Sequence, residues 1–128
     1  MAESSSSSTL KKICEENKKS LWKIRQIVTE KSKDRLDFDN NNDFENHILR
    51  PLGKLSEVKQ VPITIKIDDY DKATQHDVMF GYDRNSDVYY IDEALFRLKK
   101  LSVGDEIGLF YDTISGKVCF SVLKKALP

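Results

Sequence analysis

Residues 88–112 read VYYIDEALFRLKKLSVGDEIGLFYD, and the apolar period changes twice within them. Val88 to Ile91 form a short run suited to a strand. Asp92 then reads as a helix cap with Glu93 beside it, and Arg97, Lys99 and Lys100 stand at the far end, the charge order that suits a helix dipole. Leu95, Leu98 and Leu101 recur at helical spacing and mark a buried face. Ser102-Val103-Gly104-Asp105 is a turn, after which Ile107, Leu109 and Tyr111 alternate as a second strand.

Working outward, Asp112 to Lys117 contains Ser115-Gly116, a hairpin signal, and Val118, Phe120 and Val122 form a closing strand. Upstream, Val61, Ile63, Ile65 and Ile67 alternate with Pro62, Thr64, Lys66 and Asp68, with Pro62 at the strand's start where it breaks no ladder bond. Asp69 to Gln75 is a turn, Val78 to Tyr82 a strand, and Asp83 to Asp87 a polar turn. Residues 53–60 read as a polar connector. Asn42, with Glu45 three residues on, resembles a capping box; it opens a short helix carrying Phe44, Ile48, Leu49 and Leu52, limited by Pro51. Arg35 to Phe38 is a strand, Thr29 to Asp34 a loop, and Trp22, Ile24 and Val28 belong to a first strand. About seven short strands with two or three short helices predict a mainly antiparallel barrel or sandwich. Its expected core is Trp22, Ile24, Ile63, Ile65, Ile67, Leu95, Leu98, Ile107, Leu109, Phe120 and Val122.

The N-terminus differs in kind. Residues 1–8, MAESSSSS, bury nothing and are expected to be a disordered tail. Residues 9–20 form an amphipathic helical extension: Leu10, Ile13, Cys14 and Asn17 share a face, with Lys11, Lys12, Lys18 and Lys19 elsewhere. The domain proper spans 21–125.

Among 128 residues, 21 are basic and 21 acidic, so the net charge is zero and a uniformly basic nucleic-acid-coating protein is excluded. No apolar run approaches the roughly 18 residues of a membrane span, and the serine-rich start is not a secretory signal. Cys14 and Cys119 make no disulfide framework, which fits a reducing intracellular compartment. His47 and His76 belong to no metal-ligand spacing, and no phosphate-binding loop is present. The acidic residues are spread over loops and helix ends, so no residue constellation supports an enzyme, a metal or a cofactor.

Two loops carry a functional reading. Thr29 to Arg35 offers Lys31, Ser32, Lys33 and Arg35, residue types that contact phosphates and, for arginine, a guanine edge; an ordinary solvated hairpin loop reads the same way. Asp83 to Asp87 holds Arg84, Asn85 and Ser86. Arginine and asparagine read bases, but the flanking aspartates repel phosphate, and alone the segment is a plain turn.

The stretch 88–112, with its Leu101-x-x-Gly104-Asp105 turn and Ile107-x-Leu109 strand, resembles the plant-specific B3 DNA-binding domain. Lys117 to Leu123 resembles that family's last strand. Asn46-His47-Ile48-Leu49-Arg50-Pro51 and the layout of Leu21 to Leu36 resemble a divergent subfamily. The resemblance covers roughly residues 20–124. It implies a seven-stranded open pseudobarrel with two short helices, in a nuclear transcription regulator that grips the major groove of duplex DNA with two arms. The arms map onto Lys31, Ser32, Lys33 and Arg35, and onto Arg84, Asn85 and Ser86. No cofactor and no membrane are implied. Asp83 and Asp87 beside the second arm, and the zero net charge, keep open an alternative: a degenerate B3-like module that binds protein in place of DNA.

Overall fold

The computed structural model describes residues 21–126, apart from the side chain of Lys33. The expected tail 1–8, the helical extension 9–20 and Cys14 lie outside the described residues.

Strand β1 (Ile24–Ile27) leads through a 3-10 turn (Glu30–Lys33) into β2 (Arg35–Phe38). Helix α1 is composite: Asn41–Phe44, a π turn over Glu45–Leu49, then Arg50–Leu52. Next come α2 (Leu55–Gln60), β3 (Ile63–Asp69), β4 (Thr74–Asp83), β5 (Val88–Asp92) and α3 (Glu93–Lys99). Strands β6 (Glu106–Asp112) and β7 (Lys117–Lys124) close the chain. The strands form one seven-stranded sheet in the order β1-β6-β7-β3-β4-β5-β2. Every neighbouring pair is antiparallel except β3 and β7, which run parallel. The sheet wraps into a nearly closed barrel, and β1 and β2, neighbours in sequence, form its two edges. Side chains bridge that opening: the Gln26 amide donates to Asp39 at 3.1 Å and accepts the Asp39 backbone N–H at 3.1 Å.

Strand alternation sends Leu36, Phe38, Phe80, Tyr89, Ile91, Val118 and Phe120 inward, where they are fully buried. Helix α1 adds Phe44, Ile48 and Leu49, and α3 adds Leu95. Each such side chain contributes about 1.5–3 kcal/mol of burial. Of the expected core, Ile24, Ile65, Ile67, Leu95, Ile107, Leu109 and Phe120 are buried in the barrel, with Ile63 and Val122 half-buried against it. Two residues depart. Leu98 is 43% exposed, because Lys99, four residues after Leu95, takes the inward position to pair with Asp69. Trp22 is buried outside the barrel, in a second cluster with Phe110 and Cys119.

Trp22 needs Gly108 beneath it: a β-carbon there would stand 2.9 Å from the indole and 2.8 Å from Leu123 Cδ1. Gly108→Ala is therefore expected to displace the ring, cost about 1–3 kcal/mol and red-shift tryptophan emission. An unchanged melting curve and spectrum would contradict this packing.

Local expectations also shift. The connector 53–60 contains helix α2, since Leu55 and Val58 stand one turn apart and both meet the core. Helix α1 is capped by Asn40, whose side chain accepts the Asp43 N–H at 3.0 Å, and not by Asn42. Pro51 does not end α1. It lies just after the π turn, whose Arg50 N–H reaches Glu45 O and so opens the helix where proline lacks its own donor. The helix stops at Gly53, in the left-handed conformation (φ 74°). Asp92 stands at the N-terminus of α3, yet its carboxylate accepts the Met79 N–H at 3.2 Å and makes no cap bond to the helix.

Candidate nucleic-acid interface

The first arm is the 3-10 turn between β1 and β2. Its shape comes from a reciprocal pair: Ser32 N–H donates to Thr29 O at 3.0 Å and Thr29 N–H donates to Ser32 Oγ at 2.9 Å. Ser32 is consequently buried, while Lys31 is exposed. Lys31 lines a cleft of about 380 Å³ together with Gln26, Ile27, Arg35, Asp37 and Asp39, at the opening between β1 and β2.

The second arm is the turn between β4 and β5. Asp83 Oδ1 accepts the N–H groups of Asn85 (2.9 Å) and Ser86 (3.3 Å), an aspartate-centred turn. Asp87, with φ 53°, accepts the Tyr82 hydroxyl, and the Asn41 amide donates to its backbone oxygen at 2.8 Å. Below the arm, Tyr89 donates to Glu45 at 2.6 Å, and Lys59 stands 3.6 Å from the same carboxylate. Burial and the Glu45 charge push the Tyr89 phenol well above its ordinary range. Arg84, Asn85 and Ser86 are exposed, and Arg84 Nη2 reaches the Lys59 carbonyl at 3.4 Å.

Arg35 joins the arms. Its Nε lies 2.7 Å from Asp37 Oδ1, its Nη1 2.8 Å from Asp83 Oδ2, and its Nη2 donates to Ser86 Oγ at 3.3 Å. The guanidinium sits 4.8 Å above the centre of the Tyr90 ring. Tyr90 in turn lies across Gly81, where any side chain would collide with it. Burial opposes the Arg35 charge, but Asp83 and Asp37 outweigh it and raise the pKa. Arg35, then Ser86, hold the Asp83 carboxyl down to about 2.

Arg35 and Ser86 are thus in direct contact, and Lys31 shares the Arg35 cleft. Arg84 and Asn85 stand at the outer tip, and the Lys33 side chain is outside the description. Sequence reading missed Asp37, Tyr90 and Asn41. Alternation places Arg35 and Asp37 on the outer face of β2, but their meeting with Tyr90 depends on β2 pairing with β5, opposite which Asp37 and Tyr90 fall. Chemically, the two turns offer exposed cations and an amide suited to phosphates and base edges, beside carboxylates that disfavour them.

A nearly closed, seven-stranded, mainly antiparallel barrel with two projecting turns defines a B3 pseudobarrel. Residues 22–123 match the family described as B3 domain-containing protein At5g26805, C-terminal domain, and the chain belongs to that family. Among solved structures, the chain is similar to the "Arabidopsis FUS3-DNA complex" at 18% identity and a TM-score of 0.63, over 81% of this chain and 98% of that one. That likeness is one of fold. No curated protein matches the chain.

Proposed function

We propose that this domain binds duplex DNA in the major groove through its two arms, as a nuclear regulator of transcription in plants. The observation that supports this reading is the contact of Arg35 with Asp83 and Ser86, which ties the start of β2 to the β4–β5 turn, in a fold shared with a DNA-bound structure. In this reading Lys31 and Lys33 meet phosphates and position the barrel. Arg84 and Asn85 reach base edges. Ser32 sets the first arm's shape from inside, while Arg35 and Ser86 set the arms' spacing and add contacts at the groove wall. The reading requires neither catalysis nor a cofactor.

A second reading, a module that binds protein in place of DNA, is favoured by Asp37, Asp39, Asp83 and Asp87 on or beside the same arms. A selection from a randomised duplex pool, followed by anisotropy titrations at two salt concentrations, separates the two. For a DNA binder, Lys31→Ala and Lys33→Ala should weaken all duplexes alike and flatten the salt slope by about one each. Arg84→Ala should relax sequence preference by roughly 1–3 kcal/mol, and Asp87→Asn should tighten binding. No enriched sequence, with affinity indifferent to all these substitutions, would sink the DNA reading and favour the protein one.

A further inference from the structure

A second cleft lies on the outer face of β3, β7 and β6. Register sets Asp68 of β3, Cys119 of β7 and Phe110 of β6 in one row across the three strands. Two more aromatic rings stand over this row: Trp22 lies 4.8 Å from Phe110 and 5.4 Å from Tyr70, both edge-on. Tyr70 is 55% exposed, so much of its surface is open to a ligand. The cleft measures about 400 Å³, and its lining includes Asp68, Tyr70, Thr74, Phe110, Asp112 and Cys119.

The carboxylates here are not equivalent. Asp69 is committed to Lys99, and Asp112 accepts the Ile114 N–H and the Ser115 hydroxyl of its own turn. Asp68 Oδ1 is buried and has no hydrogen-bond partner among the described residues. A buried acceptor left unmade is costly, and a charged donor relieves that cost best. Burial, with the Asp68 charge, raises the Cys119 thiol to about 11, so the floor is neutral and apolar.

We propose that this cleft receives an arginine side chain of a partner polypeptide. The planar guanidinium stacks against the exposed Tyr70 ring while the Asp68 carboxylate, turning about its own side-chain bond, brings its unpartnered Oδ1 out to one of the N–H groups, a combination an ammonium does not offer. The apolar floor of Phe110 and Cys119 covers the methylene stem. Asp68 and Asp112 repel phosphate, so nucleic acid is not the occupant, and the site stands apart from the DNA reading.

The chain's single tryptophan is a built-in reporter, since Trp22 contacts both aromatic walls. The full chain is titrated with a short neutral peptide bearing one arginine, and with the same peptide bearing citrulline, which keeps the shape and removes the charge. The arginine peptide should shift Trp22 emission saturably in the millimolar range, and citrulline should bind several-fold more weakly. Asp68→Asn and, separately, Tyr70→Ala should each weaken arginine binding by about tenfold with melting curves unchanged. No saturable response, equal binding of citrulline, or wild-type affinity in both folded variants would overturn the proposal.

Discussion

Replacing Lys99 with methionine is expected to destabilise the domain by about 3–5 kcal/mol. Lys99 Nζ lies 2.8 Å from Asp69 Oδ2 and 3.3 Å from Asp71 Oδ2, and the Lys99 and Asp69 side chains are only 7% and 3% exposed. Removing the cation leaves a carboxylate charged and desolvated where water cannot reach it. Asp69 also accepts the N–H groups of Asp71 (3.0 Å) and Lys72 (3.3 Å), so the β3–β4 turn loosens with it. For a domain of this size each kcal/mol lowers the melting temperature by about 4–8 °C. Adding Asp69→Asn to the methionine variant should recover much of the loss, because the stranded charge is gone. A single variant that loses less than about 1 kcal/mol would place this pair with ordinary surface pairs.

The same pair sets a pH signature. Burial opposes the Lys99 charge, but Asp69 and Asp71 outweigh it and raise the pKa above 10.5. Its stabilisation is complete below that value and is lost as pH rises through the higher folded pKa. Burial likewise opposes ionisation of Asp71, yet the Ser121 hydroxyl, the Val122 N–H and Lys99 lower its pKa below 3.8. That contribution is present above 3.8 and fades as pH falls through the lower folded value. Lys99→Met should therefore remove the Lys99 share of the alkaline fall in stability and leave the share that comes from Tyr89 and Cys119.

Asp105→Ala should cost roughly 3 kcal/mol. Asp105 is fully buried, and its carboxylate accepts the N–H groups of Ser102 (2.9 Å) and Ala126 (2.7 Å) and the Lys125 ammonium (2.8 Å). Burial opposes its charge, but these donors hold its pKa below the ordinary value. Its backbone oxygen accepts the Val28 N–H, and Gly104 N–H donates to Val28 O, both at 2.8 Å, so one turn fastens β1, β6 and the C-terminal end together. Urea unfolding measures the loss, and amide exchange locates it at Ser102 and Ala126. Amides that stay protected in the alanine variant would show that the carboxylate is dispensable.

Much of the strand framework was legible because each strand buries one face, so that alternation in Ile65 and Ile67, or in Ile107 and Leu109, tracks the interior directly. The turn at Gly104-Asp105 was legible as a turn, but its function as a fastener was not. Apart from Ser102, the partners of Asp105 (Val28, Lys125 and Ala126) come from residues far along the chain, and single-strand patterns carry no information about them. Leu98 and Lys99 show a related limit: spacing favoured the leucine, but the buried carboxylate of Asp69 favoured the lysine, and that competition exists only once α3 meets β3. Helix α2 was hidden because its buried side is just Leu55 and Val58 among polar neighbours. At the candidate site residue type alone could flag the two loops but not tell them from ordinary turns; their reading as arms came from the resemblance. The linkage of Arg35 to Asp37, Asp83 and Tyr90 could not be read either way, since it follows from the β2–β5 pairing.

Strand β7 pairs with β6 on one side and, in parallel, with β3 on the other, and among the described residues β1 pairs with β6 alone. Ile24 thus waits for Leu109, and Ile67 for Val118. During synthesis the first strand emerges long before anything exists to accept it, and the meander from β3 to β5 must remain an open sheet until the last hairpin arrives. Closure then depends on contacts between distant parts of the chain, which places this domain among slow, topology-limited folders. The exposed edges of β1 and β3 in that interval are where a chaperone, or a second nascent copy, would find the chain unguarded.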